Sequence, residues 1–192
     1  MKYKNAITRS ITILIIISLS LSIGAIYNFI GHRSDLRSHP KQYSEYVSKY
    51  AAEYGVPEYI VYGVMHVKSN FQSNKLSDDG RIGLMQISPE TFRWILSLTK
   101  DELEPGILYD PETNIKYGTY LLSYLYTRYS RWTTVFAIME TNESTVEGWL
   151  NTDRYVDSLG NLSVIPDDSI RNVISNIESD CDLYKKLYYD EK

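Results

Sequence analysis

Along most of this chain apolar residues recur at three- and four-residue steps, the spacing of helices with one face turned inward. Tyr43, Tyr46, Val47, Tyr50, Ala51 and Tyr54 form one such stripe, and Gly55 supplies its stop. Pro57 then predicts the opening of a second helix carrying Ile60, Val61, Val64, Met65 and Val67. Between Asn70 and Gly83 the composition turns to Ser, Asn, Asp and Gly, which predicts a loop with a short hairpin near 75–83, where Asp78 and Asp79 read as turn residues. Ser88-Pro89-Glu90 and Asp110-Pro111-Glu112 are both helix starts: a capping side chain, a proline at the first helical position, and an acid favoured by the helix dipole. The second opens a long helix through Ile115, Leu122, Leu125, Tyr126 and Tyr129. Further helical segments are predicted near 132–141, 145–150 and 168–189. Period-two alternation is absent, so the pattern predicts an all-α single domain over residues 41–189.

The amino-terminal segment has a different character. From Arg9 to His32 no side chain is charged, and residues 11–30 read ITILIIISLSLSIGAIYNFI. Twenty helical residues at ~1.5 Å each reach ~30 Å, the hydrocarbon thickness of a bilayer. Residues 1–31 are therefore expected to form a transmembrane anchor, with 32–40 as a polar linker ending at Pro40. A cleaved signal peptide competes with this reading, but the apolar run exceeds the usual signal core. Lys2, Lys4 and Arg9 favour a cytoplasmic amino terminus, which puts the domain on the extracytoplasmic side of the cell membrane.

Charge and composition narrow the chemistry. Four basic and no acidic side chains lie in residues 1–33, against a net charge of −4 for all 192 residues, which leaves −8 on the remainder. With no basic stripe, nucleic acid is excluded as a partner. A single cysteine, Cys181, excludes a disulfide framework and a multi-cysteine zinc site. His32, His39 and His66 are scattered, so no metal or organic cofactor is implied. The 18 tyrosines recur at helical spacing and read mainly as core and rim.

The stretch YIVYGVMHVKSNFQSNKLSDDGRIGLMQISPETFRW, residues 59–94, resembles the signature region of the soluble lytic transglycosylase (SLT) domain family. Ser69, Phe71, Gly83, Leu84, Met85, Gln86, Ile87, Pro89 and Thr91 stand at that family's motif spacing, and LYDPETNIKYGTYLLSYL, residues 108–125, resembles its second segment. The resemblance implies a lysozyme-like fold of the goose type and a cleft for peptidoglycan glycan strands, with Ser69, Met85, Gln86 and Ile87 lining sugar subsites and Met139 also among the substrate-binding residues. It also implies a chemistry. A single glutamic acid protonates the oxygen between N-acetylmuramic acid and N-acetylglucosamine, then takes a proton from the C6 hydroxyl as a 1,6-anhydro ring closes.

This sequence departs from the family at that position, which is Lys68. An ammonium cannot accept the proton, and its positive charge opposes the developing oxocarbenium ion. The family's Ala-Tyr-Asn-Ala-Gly segment falls on Ile138-Met139-Glu140-Thr141-Asn142, so the tyrosine that helps orient the acid is Met139 and the groove-lining asparagine is Glu140. One position lost a negative charge and another gained one, which predicts a Lys68–Glu140 ion pair in place of the catalytic centre. Three functions compete: a membrane-anchored peptidoglycan-binding protein with impaired cleavage, an active lytic transglycosylase with a displaced acid such as Glu140, and a non-catalytic partner in a cell-wall or secretion assembly.

Overall fold

The computed structural model describes residues 18–24, 26–27 and 30–190. The chain divides into two compact units, Met1–Pro40 and Lys41–Lys192. In the first, the described residues up to position 38 are helical. Much of the apolar run expected to form an anchor lies outside the described residues, among which no helix is long and apolar enough to cross a membrane.

The second unit is helical. Its α-helices are α1 (Ser44–Tyr54), α2 (Glu58–Ser69), α3 (Pro89–Thr99), α4 (Pro111–Tyr129), α5 (Trp132–Glu140), α6 (Glu143–Leu150) and α7 (Asp168–Tyr188), with 3-10 turns at Pro105–Tyr109 and Asp153–Tyr155. The only β pairing among the described residues is three isolated bridges. One of them, Leu76 with Ile82, closes the small hairpin expected near 75–83.

The helix ends follow from local chemistry. Gly55 ends α1 in the left-handed conformation, and Pro57 sits one position before α2, at its N-cap. The Ser88 hydroxyl accepts from Thr91 N–H, and the Asp110 carboxylate from Thr113 N–H, each ahead of a proline at the first helical position. Helix α6 starts two residues earlier than its apolar pattern indicates, because the Asn142 side chain caps it by accepting from Thr145 N–H.

Helix α2 runs through the core and buries Ile60, Val61, Tyr62, Val64 and Met65. Helix α7 lays Ile174, Ile177, Cys181, Tyr184 and Leu187 inward at three- and four-residue steps. Its contact with α2 depends on Gly63, where a Cβ would come within 2.5 Å of Cys181 Sγ and 2.9 Å of Cys181 N. Tyr62 stacks on Tyr184 at 5.3 Å beside this crossing. On the other side, Ser123 Oγ of α4 donates to Tyr54 O of α1 at 2.6 Å, and Tyr50 and Lys49 both donate to Glu112. Each fully buried side chain such as Ile115 or Leu122 stabilises this arrangement by ~1.5–3 kcal/mol.

Candidate active site

The loop between α2 and α3 is fixed to α4 by one side chain. Asn114, wholly buried, accepts from Met85 N–H at 2.7 Å and donates to Ile82 O at 2.9 Å and Leu108 O at 2.8 Å. A neutral amide serves here because it is donor and acceptor at once. Gly83 passes so close that a Cβ would meet Asn114 Nδ2 at 2.2 Å and Leu108 O at 2.5 Å, and its φ of 78° lies where side chains are disfavoured. Gln86 also has positive φ, 52°, and its amide donates to Gly83 O at 2.7 Å. The Gly-Leu-Met-Gln motif is thus a tight turn pinned from beneath by Asn114.

Lys68 lies in the last turn of α2 and Glu140 is the last residue of α5, and the structure brings them together. Lys68 Nζ donates to Glu140 Oε1 at 2.5 Å, with the two side chains only 7 % and 13 % exposed. Burial holds the Lys68 ammonium below its usual range; Glu140 opposes this, and Arg81 adds to it by like-charge repulsion. The last turn of a helix, at the negative end of its dipole, favours a cation at position 68.

Sequence reasoning did not single out Arg81, which completes the centre. Its Nη1 donates to Met139 O at 2.6 Å and its Nη2 to Glu140 O at 2.8 Å, so it satisfies carbonyls at the end of α5. Its Nε donates to Asp79 Oδ2 at 2.8 Å, and Nη1 lies 3.8 Å from Glu140 Oε2. Asp79, expected only to turn the chain, therefore orients the guanidinium. The signal was present as an arginine inside the DDGRIG loop, but its partners are backbone carbonyls 58 and 59 residues away.

Beside this centre opens a cleft of about 810 Å³. Met85, Gln86, Ile87 and Met139, four of the expected glycan-lining residues, border it, together with Arg81 and Trp94. Ser69 does not border it: it is buried and donates to Met65 O at 2.9 Å. Neither Lys68 nor Glu140 borders it either. Met139 brings no hydroxyl to the position that a tyrosine holds in the family resemblance. On the opposite rim Arg128 pairs with Glu143 at 3.2 Å and Glu147 at 3.5 Å, tying α4 to α6. Trp94 packs edge-on against Tyr124 at 5.1 Å and stays partly exposed, a flat apolar face at the cleft edge.

Comparison with known proteins agrees with this geometry. The chain is 27 % identical to the soluble lytic murein transglycosylase of Escherichia coli (strain K12) over 158 residues, 80 % of this chain and 24 % of that protein. It is 36 % identical to the membrane-bound lytic murein transglycosylase C of Yersinia pestis (strain Pestoides F) over 98 residues, 50 % of this chain and 27 % of that protein. Among solved structures, the 70-kDa soluble lytic transglycosylase in complex with bulgecin A matches with a TM-score of 0.73 and 25 % identity, covering 80 % of this chain and 25 % of that one. An inactive mutant of the lytic transglycosylase Slt from Pseudomonas aeruginosa matches with a TM-score of 0.69 and 23 % identity, covering 77 % and 24 %. The chain spans about a quarter of the length of the relatives it matches. The profile of the Transglycosylase SLT domain matches residues 45–157, more than half of the sequence, and the chain belongs to that family.

Proposed function

We propose that this protein binds the glycan strands of peptidoglycan in its cleft and has lost most or all of the ability to cut them. The Lys68–Glu140 contact carries the reading. At the end of α2, where the family resemblance places the acid/base glutamic acid, stands an ammonium that gives its hydrogen bond to a buried carboxylate. Cleavage needs a group that hands a proton to the glycosidic oxygen and later removes one from the C6 hydroxyl, help worth ~10²–10⁴ in rate. Burial makes Lys68 a better acid than a free lysine, yet its proton is directed at Glu140 and it does not border the cleft. Glu140 acts as an acceptor in the same contact, which argues against its service as a displaced acid. The binding half of the proposal is supported by the cleft wall of Met85, Gln86 and Ile87, by the partly exposed Trp94, and by relatives named as lytic murein transglycosylases. The apolar run 11–30 and its flanking Lys2, Lys4 and Arg9 support a single-pass anchor that holds the domain outside the cytoplasm, facing the wall.

The test is incubation of the purified full chain with intact sacculi. Expected are co-sedimentation with the insoluble wall and no release of 1,6-anhydro muropeptides. Release at a rate comparable to active relatives overturns the catalytic half, and failure to sediment overturns the binding half in favour of a protein-partner role. Restoring one carboxyl through Lys68→Glu is expected to give little activity, because it sets two carboxylates face to face at position 140. Adding Met139→Tyr and Glu140→Asn relieves that repulsion and is expected to raise release above that of the single variant.

A further inference from the structure

Lys41 is the first residue of the second unit, and its ammonium is enclosed by groups from the start of α2 and the end of α7. Nζ stands 4.6 Å from the ring centroid of Tyr189, 5.3 Å from that of Tyr62 and 5.6 Å from that of Tyr188, within the ~6 Å at which a ring face attracts a cation. It also donates to Glu58 Oε2 at 3.2 Å. Among the described residues Lys49, Lys116 and Lys185 each meet a single tyrosine ring, so three rings about one ammonium set Lys41 apart. The enclosure has supports of its own. Glu58, the first residue of α2, accepts from Ser48 Oγ at 2.7 Å and from Tyr189 Oη at 2.5 Å, which fixes its carboxylate. Burial raises the Glu58 pKa, but Tyr189, Ser48 and Lys41 outweigh it and keep the carboxyl below its usual range. Tyr62 is wholly buried, stacks on Tyr184, and carries a hydroxyl with no hydrogen-bond partner among the described residues. Tyr59 packs against Tyr189 at 6.0 Å and braces that ring.

We infer that Glu58, Tyr62, Tyr188 and Tyr189 form a recognition site for a primary alkylammonium, filled in this structure by the chain's own Lys41, and that this self-binding clasps the start of the domain to the end of its last helix. It is independent of the glycan reading, since none of these residues borders the cleft. An ion pair in open water would hold the ends only weakly. Here the Lys41 and Glu58 side chains are 29 % and 25 % exposed, and the rings offer the lysine stem apolar surface while their faces attract its charge. Because Lys41 belongs to the same chain, its effective concentration at the site is on the order of millimolar or above, so a dilute free amine does not displace it. Cutting the side chain back to Cβ removes the occupant and leaves the carboxylate and the rings in place.

The experiment follows amide hydrogen exchange in the purified full chain, at residues 185–189 and 43–47, with and without n-propylammonium, which supplies the atoms that Lys41→Ala removes. Lys41→Ala should speed exchange at both ends about tenfold, as expected for loss of a partly desolvated cation among aromatic rings. On the order of 50 mM n-propylammonium should restore most of the protection, and 1-propanol or sodium chloride at the same concentration should not. Wild type should respond to none of the three. Lys41→Met keeps the stem without the charge and should lose protection as Lys41→Ala does. Adding Glu58→Gln to Lys41→Ala should raise the half-restoring concentration of n-propylammonium about tenfold, because a charged acceptor is lost. Wild-type exchange in Lys41→Ala overturns the clasp. Wild-type exchange in Lys41→Met, or protection restored equally by 1-propanol, overturns the ammonium site by showing that apolar packing alone fills it. No recovery with n-propylammonium overturns it as well. The Lys41→Ala titration decides the matter by itself if the Glu58 variant fails to fold.

Discussion

Asn114 and Lys68 are both buried polar side chains that tie distant segments together, yet they do so by different chemistry. Asn114 is neutral, and its three hydrogen bonds all go to backbone groups of Ile82, Met85 and Leu108. Lys68 is an ammonium whose main side-chain partner is one other side chain, Glu140. A backbone carbonyl or amide cannot be substituted away, so what Asn114 does is bound to the fold itself. An ion pair can change both members together. The contrast separates two ways of tying the domain together: the turn is fixed by amide geometry, whereas position 68, where the proposed function sets the family's acid–base carboxyl, is held by a side-chain pair whose members can change together.

The severest test of this contrast is Asn114→Ala. It takes a partner from the buried Met85 N–H and Leu108 O, while Ile82 O keeps the Ile87 N–H at 3.1 Å; at ~1–3 kcal/mol for each of the two, a loss of about 4 kcal/mol is expected. Against a total stability of ~5–15 kcal/mol this approaches unfolding. Urea denaturation followed by circular dichroism reads it directly, and no second substitution at a partner should restore it, since the partners are main chain. A loss below about 1 kcal/mol would remove the distinction drawn between the two sites.

Glu140→Leu should come next, at about 3 kcal/mol, because it strands a buried ammonium. Lys68→Met alone should cost less, about 1–2 kcal/mol, since Arg81 remains 3.8 Å from Glu140 and retains part of the compensation. The double variant Lys68→Met/Glu140→Leu is expected within about 1 kcal/mol of wild type, as happens when a buried pair is exchanged whole for apolar groups of similar size. The four stabilities form a cycle whose coupling energy belongs to the pair. Strictly additive losses would mean that Lys68 and Glu140 do not compensate each other in solution.

How much of this was legible in the chain differs between the two sites for the same reason. Asn114, Gly83 and Met85 fall inside local motifs, because a tight turn and a helix start impose residue types at fixed short spacing. The caps at Ser88 and Asp110 were readable on the same grounds. The Lys68–Glu140 pair could be anticipated only because two charge changes fell on positions related through a family pattern. Arg81 could not, since a guanidinium bound to main-chain carbonyls leaves no mark on the sequence of its partner helix. Ser69, expected to line the cleft, is buried in the structure for a related reason. Its hydroxyl turns back to Met65 O one turn earlier, a local alternative that helical serines commonly adopt and that residue identity does not reveal.

The smallest expected effect is also the most specific to Lys68. Burial, opposed by Glu140, makes the folded protein hold this lysine's proton less tightly than the unfolded chain does, where the value is near 10.5. Between the lowered folded value and 10.5 the unfolded state therefore binds more protons, and stability from this group rises with pH. The buried tyrosines shift the other way, with Tyr62 and Tyr184 pushed up by burial, and their contribution falls as pH passes 10. Because those tyrosines are shared, they cancel when wild type is compared with Lys68→Met/Glu140→Leu. The difference in unfolding free energy between the two should move in favour of wild type from neutral pH toward 10.5, at a slope below ~1.4 kcal/mol per pH unit. Urea titrations at half-unit pH steps measure it. A flat difference would place Lys68 in water rather than under the cleft, and with it would go the claim that the old acid–base seat is sealed by an ion pair.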